Sequence, residues 1–121
     1  MSRDDPLVRL RHMLDFARQA EQMIAGSSLD ALRRNSTLNL AITRLVEIIG
    51  EAATHVPSHL RDRYPGIPWS QIVAMRNRLV HGYDVISEER LWDTLIDDIP
   101  ELIPELERAI ELESADGISR T

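Results

Sequence analysis

The segment Leu38-Asn39-Leu40-Ala41-Ile42-Thr43-Arg44-Leu45-Val46-Glu47-Ile48-Ile49-Gly50-Glu51-Ala52-Ala53-Thr54-His55-Val56 is the most apolar stretch of the chain. Leu38, Ile42, Leu45, Ile49, Ala52 and Val56 recur at three or four residues, the period of one helix face, and Ala41, Val46 and Ile48 widen that stripe. A helix apolar over so much of its circumference is contacted from several sides, so this one is read as central. The same period extends outward. Upstream, Leu7, Leu10, Leu14, Ala17, Ala20 and Ile24 mark a first helix, with Pro6 at a first-turn position, Asp5 as its cap and an end near Gly26. Ser27 followed by Asp30 resembles a capping box for a second helical region, loosened around Asn35-Ser36.

Downstream, Pro57 and Tyr64-Pro65-Gly66-Ile67-Pro68 punctuate the chain and leave room for a short helical turn at 58–63. Pro68 opens a helix through Trp69, Ile72, Val73, Met75, Arg76 and Leu79, which Gly82 closes. Ser87 with Glu88 and Glu89 starts a last long helix, carrying apolar residues from Leu91 to Ile110 and bent by Pro100 and Pro104. No segment alternates with period two. The expected fold is all-α: an antiparallel helical bundle of four main helices plus a short helix. One domain covers 1–113, and a polar, frayed tail covers 114–121.

The 121 residues, 43% of them hydrophobic, suffice for one core without staples, since a chain of this size buries roughly two-thirds of its unfolded surface. With no cysteine, disulfides, thiolate metal sites and thiol catalysis are excluded. The charged start, and Arg9 and Arg11 within the first apolar stretch, fit neither a signal peptide nor a membrane span, so a cytoplasmic location is expected. A net charge of −6 argues against coating nucleic acid by bulk electrostatics, although a local basic site is compatible with it. All the positive charge is arginine, whose planar fork grips phosphate bidentately, although a complete Lys-to-Arg bias is first of all what genome composition produces. Aromatics at 4% are too few for base-stacking platforms, so any nucleic-acid chemistry works through phosphate and ribose.

Most enzyme classes find no support. There is no Glu-x-x-His, no Gly-rich phosphate loop and no nucleophile elbow. Glu51 and His55 sit four apart and can meet, but one such pair makes no metal site; His55 and His59, with Pro57 between them, read as solvated histidines. Neither metal nor cofactor is expected. What remains is Met75-Arg76-Asn77-Arg78-Leu79-Val80-His81-Gly82-Tyr83, which gathers two guanidiniums, an amide, an imidazole and a phenol. These groups suit metal-free cleavage of RNA, in which protons must leave the 2′-OH and reach the departing oxygen while cations stabilise the phosphorane. On a straight helix Arg76 and His81 lie about 140° apart around the axis and about 7.5 Å along it, so convergence needs a turn at Gly82 or a second copy of the chain. The same residues are also what helix capping alone prefers, and both readings stand at this point.

Arg76-Asn77-Arg78-Leu79-Val80-His81-Gly82-Tyr83 resembles the Arg-x4-His-x-Tyr signature of HEPN domains, in the branch of HepT-like toxins. Ile48-Ile49-Gly50-Glu51-Ala52-Ala53, Tyr64-Pro65-Gly66-Ile67-Pro68-Trp69, Asp84-Val85-Ile86 leading to Leu91-Trp92, and Ile99-Pro100-Glu101-Leu102 resemble further segments of that branch. The resemblance implies a dimeric helical bundle with two motif copies across a shared cleft, acting as a metal-independent endoribonuclease on RNA. It also implies a minimal nucleotidyltransferase antitoxin as partner. Under it Arg76 holds phosphate, His81 transfers protons, Asn77 and Arg78 support substrate binding, and Tyr83 is the candidate modification site. Glu51 is read as orienting a side chain or packing near the motif. The rival readings are a HEPN-like dimer that has lost catalysis and serves as a scaffold, and an unrelated helical dimer whose Arg-His cluster caps a helix.

Overall fold

The computed structural model describes residues 5–81 and 87–119. All regular elements among them are helical: α1 (Pro6–Ile24), α2 (Leu29–Arg34), α3 (Ser36–Thr54), α4 (Ser58–Arg63), α5 (Trp69–His81), α6 (Glu88–Asp93), a π-helical turn (Thr94–Asp98) and α7 (Ile99–Ser119). The boundaries follow local chemistry. Asp5 accepts from the Leu7 N–H at 2.9 Å with Pro6 in the first turn, and the chain leaves α1 through Gly26 at φ 73°, a left-handed conformation that costs glycine little. The second cap is Ser28 rather than Ser27, its hydroxyl accepting from the Ala31 N–H. The loosening expected at Asn35-Ser36 is a full break, because Asn35 leaves helical geometry and caps α3 by accepting from the Leu38 N–H.

The helical run from 88 to 119 is uninterrupted but not uniform. Ser87 caps it by accepting from the Arg90 N–H. Pro100 has no N–H to donate to the Ile96 carbonyl, and in the turn just before it the Ile99 N–H donates five residues back to Thr94, the π register. At Pro100 the helix thus widens over one turn, while Pro104 lies within α7. The polar stretch from 114 is helical to Ser119.

The central position of the 38–56 segment holds: α3 packs against α1 on one side and α5 on another, and α1 also packs against α7. Leu10, Met13, Ile42, Leu95 and Leu106 are fully buried between these helices, each contributing about 1.5–3 kcal/mol by leaving water. The connection from α3 to α5 is fastened at both ends. Arg61 donates from Nε to the Val56 carbonyl and from Nη2 to those of Ala53 and Thr54, satisfying the end of α3, while the Trp69 indole donates to the Tyr64 carbonyl. This clasp sets where α5 begins along α3, and hence which residue of α5 meets Gly50. No described helix is long and apolar enough to cross a membrane.

Candidate active site

α3 and α5 approach closely at Gly50 and Arg76. A Cβ on Gly50 would overlap the Arg76 Cβ, stand 2.8 Å from its Cγ and 3.2 Å from the Ile72 carbonyl oxygen. Only a residue without a side chain lets the root of Arg76 rest on the α3 backbone. The guanidinium stem is consequently half-buried, with 24% of the side chain exposed, and its Nε is buried without an acceptor among the described residues.

The head of Arg76 is held by two acceptors. Nη2 donates to Oε2 of Glu51 at 2.5 Å, one residue past Gly50, and Nη1 donates to Oδ1 of Asn77 at 2.9 Å. The other carboxylate oxygen of Glu51, Oε1, lies 3.3 Å from Nε2 of His55 one turn along α3. A carboxylate only accepts, so Nε2 is the protonated ring nitrogen. The His55 hydrogen bond, and after it the charge and hydrogen bond of Arg76, hold the Glu51 carboxyl below its ordinary 4.5, against an opposing push from desolvation. Glu51 therefore carries full negative charge at neutral pH and fixes one edge of the guanidinium.

α5 is helical to His81, its last described residue, so among the described residues of α5 no turn swings the imidazole toward Arg76. Both Arg78 and His81 sit in the last turn of α5, at the carbonyl end of the helix dipole, and both are exposed. Arg78, two residues from Arg76, belongs to a different face: it lines a groove of about 420 Å³ between α5 and the 88–119 helical run. The floor of that groove includes Val46, Ile72, Met75 and Leu102, and its rim carries Arg90, Asp93, Asp97 and Asp98. Burial, then the charges of Asp97 and Glu101, raise the Asp98 carboxyl above its ordinary 3.8. Asn77 is exposed and already engaged by Arg76. Tyr83 and the helix-closing Gly82 lie outside the described residues. Among the described residues no three His, Asp or Glu side chains are grouped so as to hold a metal ion.

The sequence thus pointed to the motif helix, to the Glu51 and His55 spacing and to Glu51 orienting a side chain or packing near the motif, but not to Arg76 as the partner of Glu51 25 residues away. The available signal was Gly50, since glycine in the middle of the most apolar helix costs about 1 kcal/mol and marks a close approach.

The family model described as Ribonuclease HepT-like matches residues 13–109, a span that holds Gly50, Glu51 and the whole motif. The chain belongs to the HepT-like ribonuclease family. This family is of the HEPN type, as the motif residues suggested. Similar proteins include one named "Putative RNase" from Caldanaerobacter subterraneus subsp. tengcongensis, 30% identical over 108 residues that make up 89% of this chain and 96% of the relative. Another of the same name, from Methanocaldococcus jannaschii, is 30% identical over 107 residues, 88% of this chain and 98% of its own. A "Probable ribonuclease HepT" from Thermococcus cleftensis is 38% identical over 68 residues, 56% of this chain and 62% of the relative. No solved structure matches the chain.

Proposed function

We propose that this HepT-like chain is a cytoplasmic endoribonuclease toxin, working as a homodimer and without metal, with Arg76 and His81 as its catalytic residues. The observation that carries the reading is the fixed guanidinium of Arg76 on a helix whose last turn presents His81, in a chain of a ribonuclease family. In the reaction the ribose 2′-oxygen bonds to phosphorus as its proton passes to a neutral imidazole. The bond from phosphorus to the 5′-oxygen breaks as that oxygen takes a proton from an imidazolium, leaving a 2′,3′-cyclic phosphate and a 5′-hydroxyl. Arg76 stabilises the charge that gathers on the phosphorane. The same imidazole can take the proton from the 2′-oxygen and return it to the 5′-oxygen, so one His81 facing an Arg76 of the other copy serves both proton roles.

A second copy is built into the proposal because α5 is helical throughout 69–81, which keeps Arg76 and His81 of one chain on different sides of the same helix. Asn77 and Arg78 belong to the substrate-binding surface, Asn77 by holding Arg76 and Arg78 by its own charge. A minimal nucleotidyltransferase antitoxin silences the enzyme by attaching nucleotide to Tyr83, whose added phosphate charge occupies the arginines that RNA needs. Cleavage of RNA by the purified protein in the presence of a chelator, lost in Arg76→Ala and in His81→Ala while both keep the wild-type helical signal, is the expected result. Undiminished cleavage in either variant, or no cleavage by the parent protein, refutes the assignment.

A further inference from the structure

We infer that Glu51 is a positioning residue of the cleavage site: its carboxylate, backed by His55, holds the Arg76 guanidinium in the orientation in which it meets phosphate. The inference rests on the nuclease reading above. Arginine has three rotatable bonds beyond Cβ, and an untethered guanidinium pays to be immobilised when a transition state forms. Here that cost is met in advance. Gly50 fixes the first two carbons of the side chain on the α3 backbone, Glu51 takes Nη2 and Asn77 takes Nη1. Each terminal nitrogen carries a second N–H, so both can also donate to a ligand's oxygens.

The alternative is that the Glu51 to Arg76 ion pair is an ordinary surface salt bridge that contributes a little to stability. Three observations argue against it. The pair sits beside a contact where glycine is required for α3 and α5 to meet. The carboxylate uses its second oxygen on His55, which restrains its own rotation. Arg18 with Glu107 and Arg33 with Glu89, by contrast, join half-exposed side chains away from the motif. Glu51 acts through Arg76, not on substrate: its carboxylate carries no proton to give and repels phosphate, so its removal does not weaken ground-state binding of RNA.

The test uses the full-length protein with 15N-labelled arginine, together with Glu51→Ala and Glu51→Gln; the amide of Gln keeps an acceptor for Nη2. In the parent protein the terminal nitrogens of Arg76 are expected to give separate, slowly rotating resonances, averaged in Glu51→Ala and retained in Glu51→Gln. On a single-stranded RNA of mixed sequence, Glu51→Ala is expected to lower kcat by about 10²-fold with KM unchanged or lower, the cost of a displaced catalytic group. Glu51→Gln is expected to recover at least tenfold of that loss. Arg76 resonances already averaged in the parent protein, parental kcat in Glu51→Ala, or Glu51→Gln as impaired as Glu51→Ala each overturns the inference. A parent protein with a tethered Arg76 that cleaves no RNA overturns the nuclease reading itself, and the resonances keep that outcome distinct from a failure of tethering.

Discussion

Replacing Gly50 with alanine perturbs the contact on which the site is built. The added methyl carbon overlaps the Arg76 Cβ and stands 2.8 Å from its Cγ, where ordinary contact begins near 3.4 Å, and neither atom belongs to the flexible end of the side chain. Relief therefore requires α5 to move off α3 at Arg76, by about an ångström given optimal carbon separations of 3.5–4.0 Å. Overpacking of this kind costs about 1–3 kcal/mol. Alanine returns about 0.5–1 kcal/mol of helix preference, so the net loss is about 0.5–2 kcal/mol, or a Tm lower by about 2–10 °C. The effect on cleavage is larger, because a catalytic group displaced by an ångström loses about 10²-fold in rate. Gly26→Ala is the matched control: at φ 73° it strains the backbone by about 1 kcal/mol, with nothing within 4 Å, so it lowers Tm and leaves cleavage alone. Thermal melts and RNA cleavage at a temperature where all three proteins are folded decide the matter. A Gly50→Ala protein that melts and cleaves like its parent refutes the close-contact argument.

Three further outcomes follow from the same geometry. Arg76→Met removes a buried, unaccepted Nε donor at the expense of a partly exposed ion pair, so cleavage is lost while stability stays level or rises by about 1–2 kcal/mol in urea melts. The Glu51 carboxyl titrates lower in the folded than in the unfolded chain, so its contribution is fully present above the ordinary 4.5 and fades as pH falls through the depressed value. The Tm difference between the parent protein and Glu51→Gln is accordingly constant from about pH 6 to 8 and shrinks below about pH 4. Asp98 has the opposite sign: raised in the folded state by burial and by Asp97 and Glu101, its charge destabilises at neutral pH. Asp98→Asn raises Tm at pH 7, and the gain vanishes as pH falls to the ordinary 3.8 and below.

Periodicity made most of the fold legible because helix faces are written locally. Pro6 and Asp5, Ser87, and the apolar stripe from Leu38 to Val56 each specify a start, a cap or a buried face from neighbours within four residues. Ser28 replacing Ser27 as cap shows the limit of that reading, since two adjacent serines offer the same hydroxyl and only the backbone path selects one. The π turn at Thr94–Asp98 was half visible: Pro100 announced a missing donor, but not that the helix would absorb it by widening. The site was legible as composition and not as arrangement. Arg76, Asn77, Arg78 and His81 stood together in the sequence, yet the structure turns Arg78 into a groove with Asp93 and Asp97 and sets Arg76 against Glu51. That division arises from the packing of α5 on α3, and no short-range rule predicts which carboxylate a guanidinium will find 25 residues away.

The central claim is that a guanidinium and an imidazole from two copies of the chain act on one ribose–phosphate linkage. Mixed dimers made by co-expressing Arg76→Ala and His81→Ala chains, purified with two different tags, test it directly. Each variant alone is inactive, and the account predicts that the mixed dimer regains about half the parental cleavage rate, because one of its two composite sites holds both an intact Arg76 and an intact His81. Mixed dimers as inactive as either variant alone contradict it.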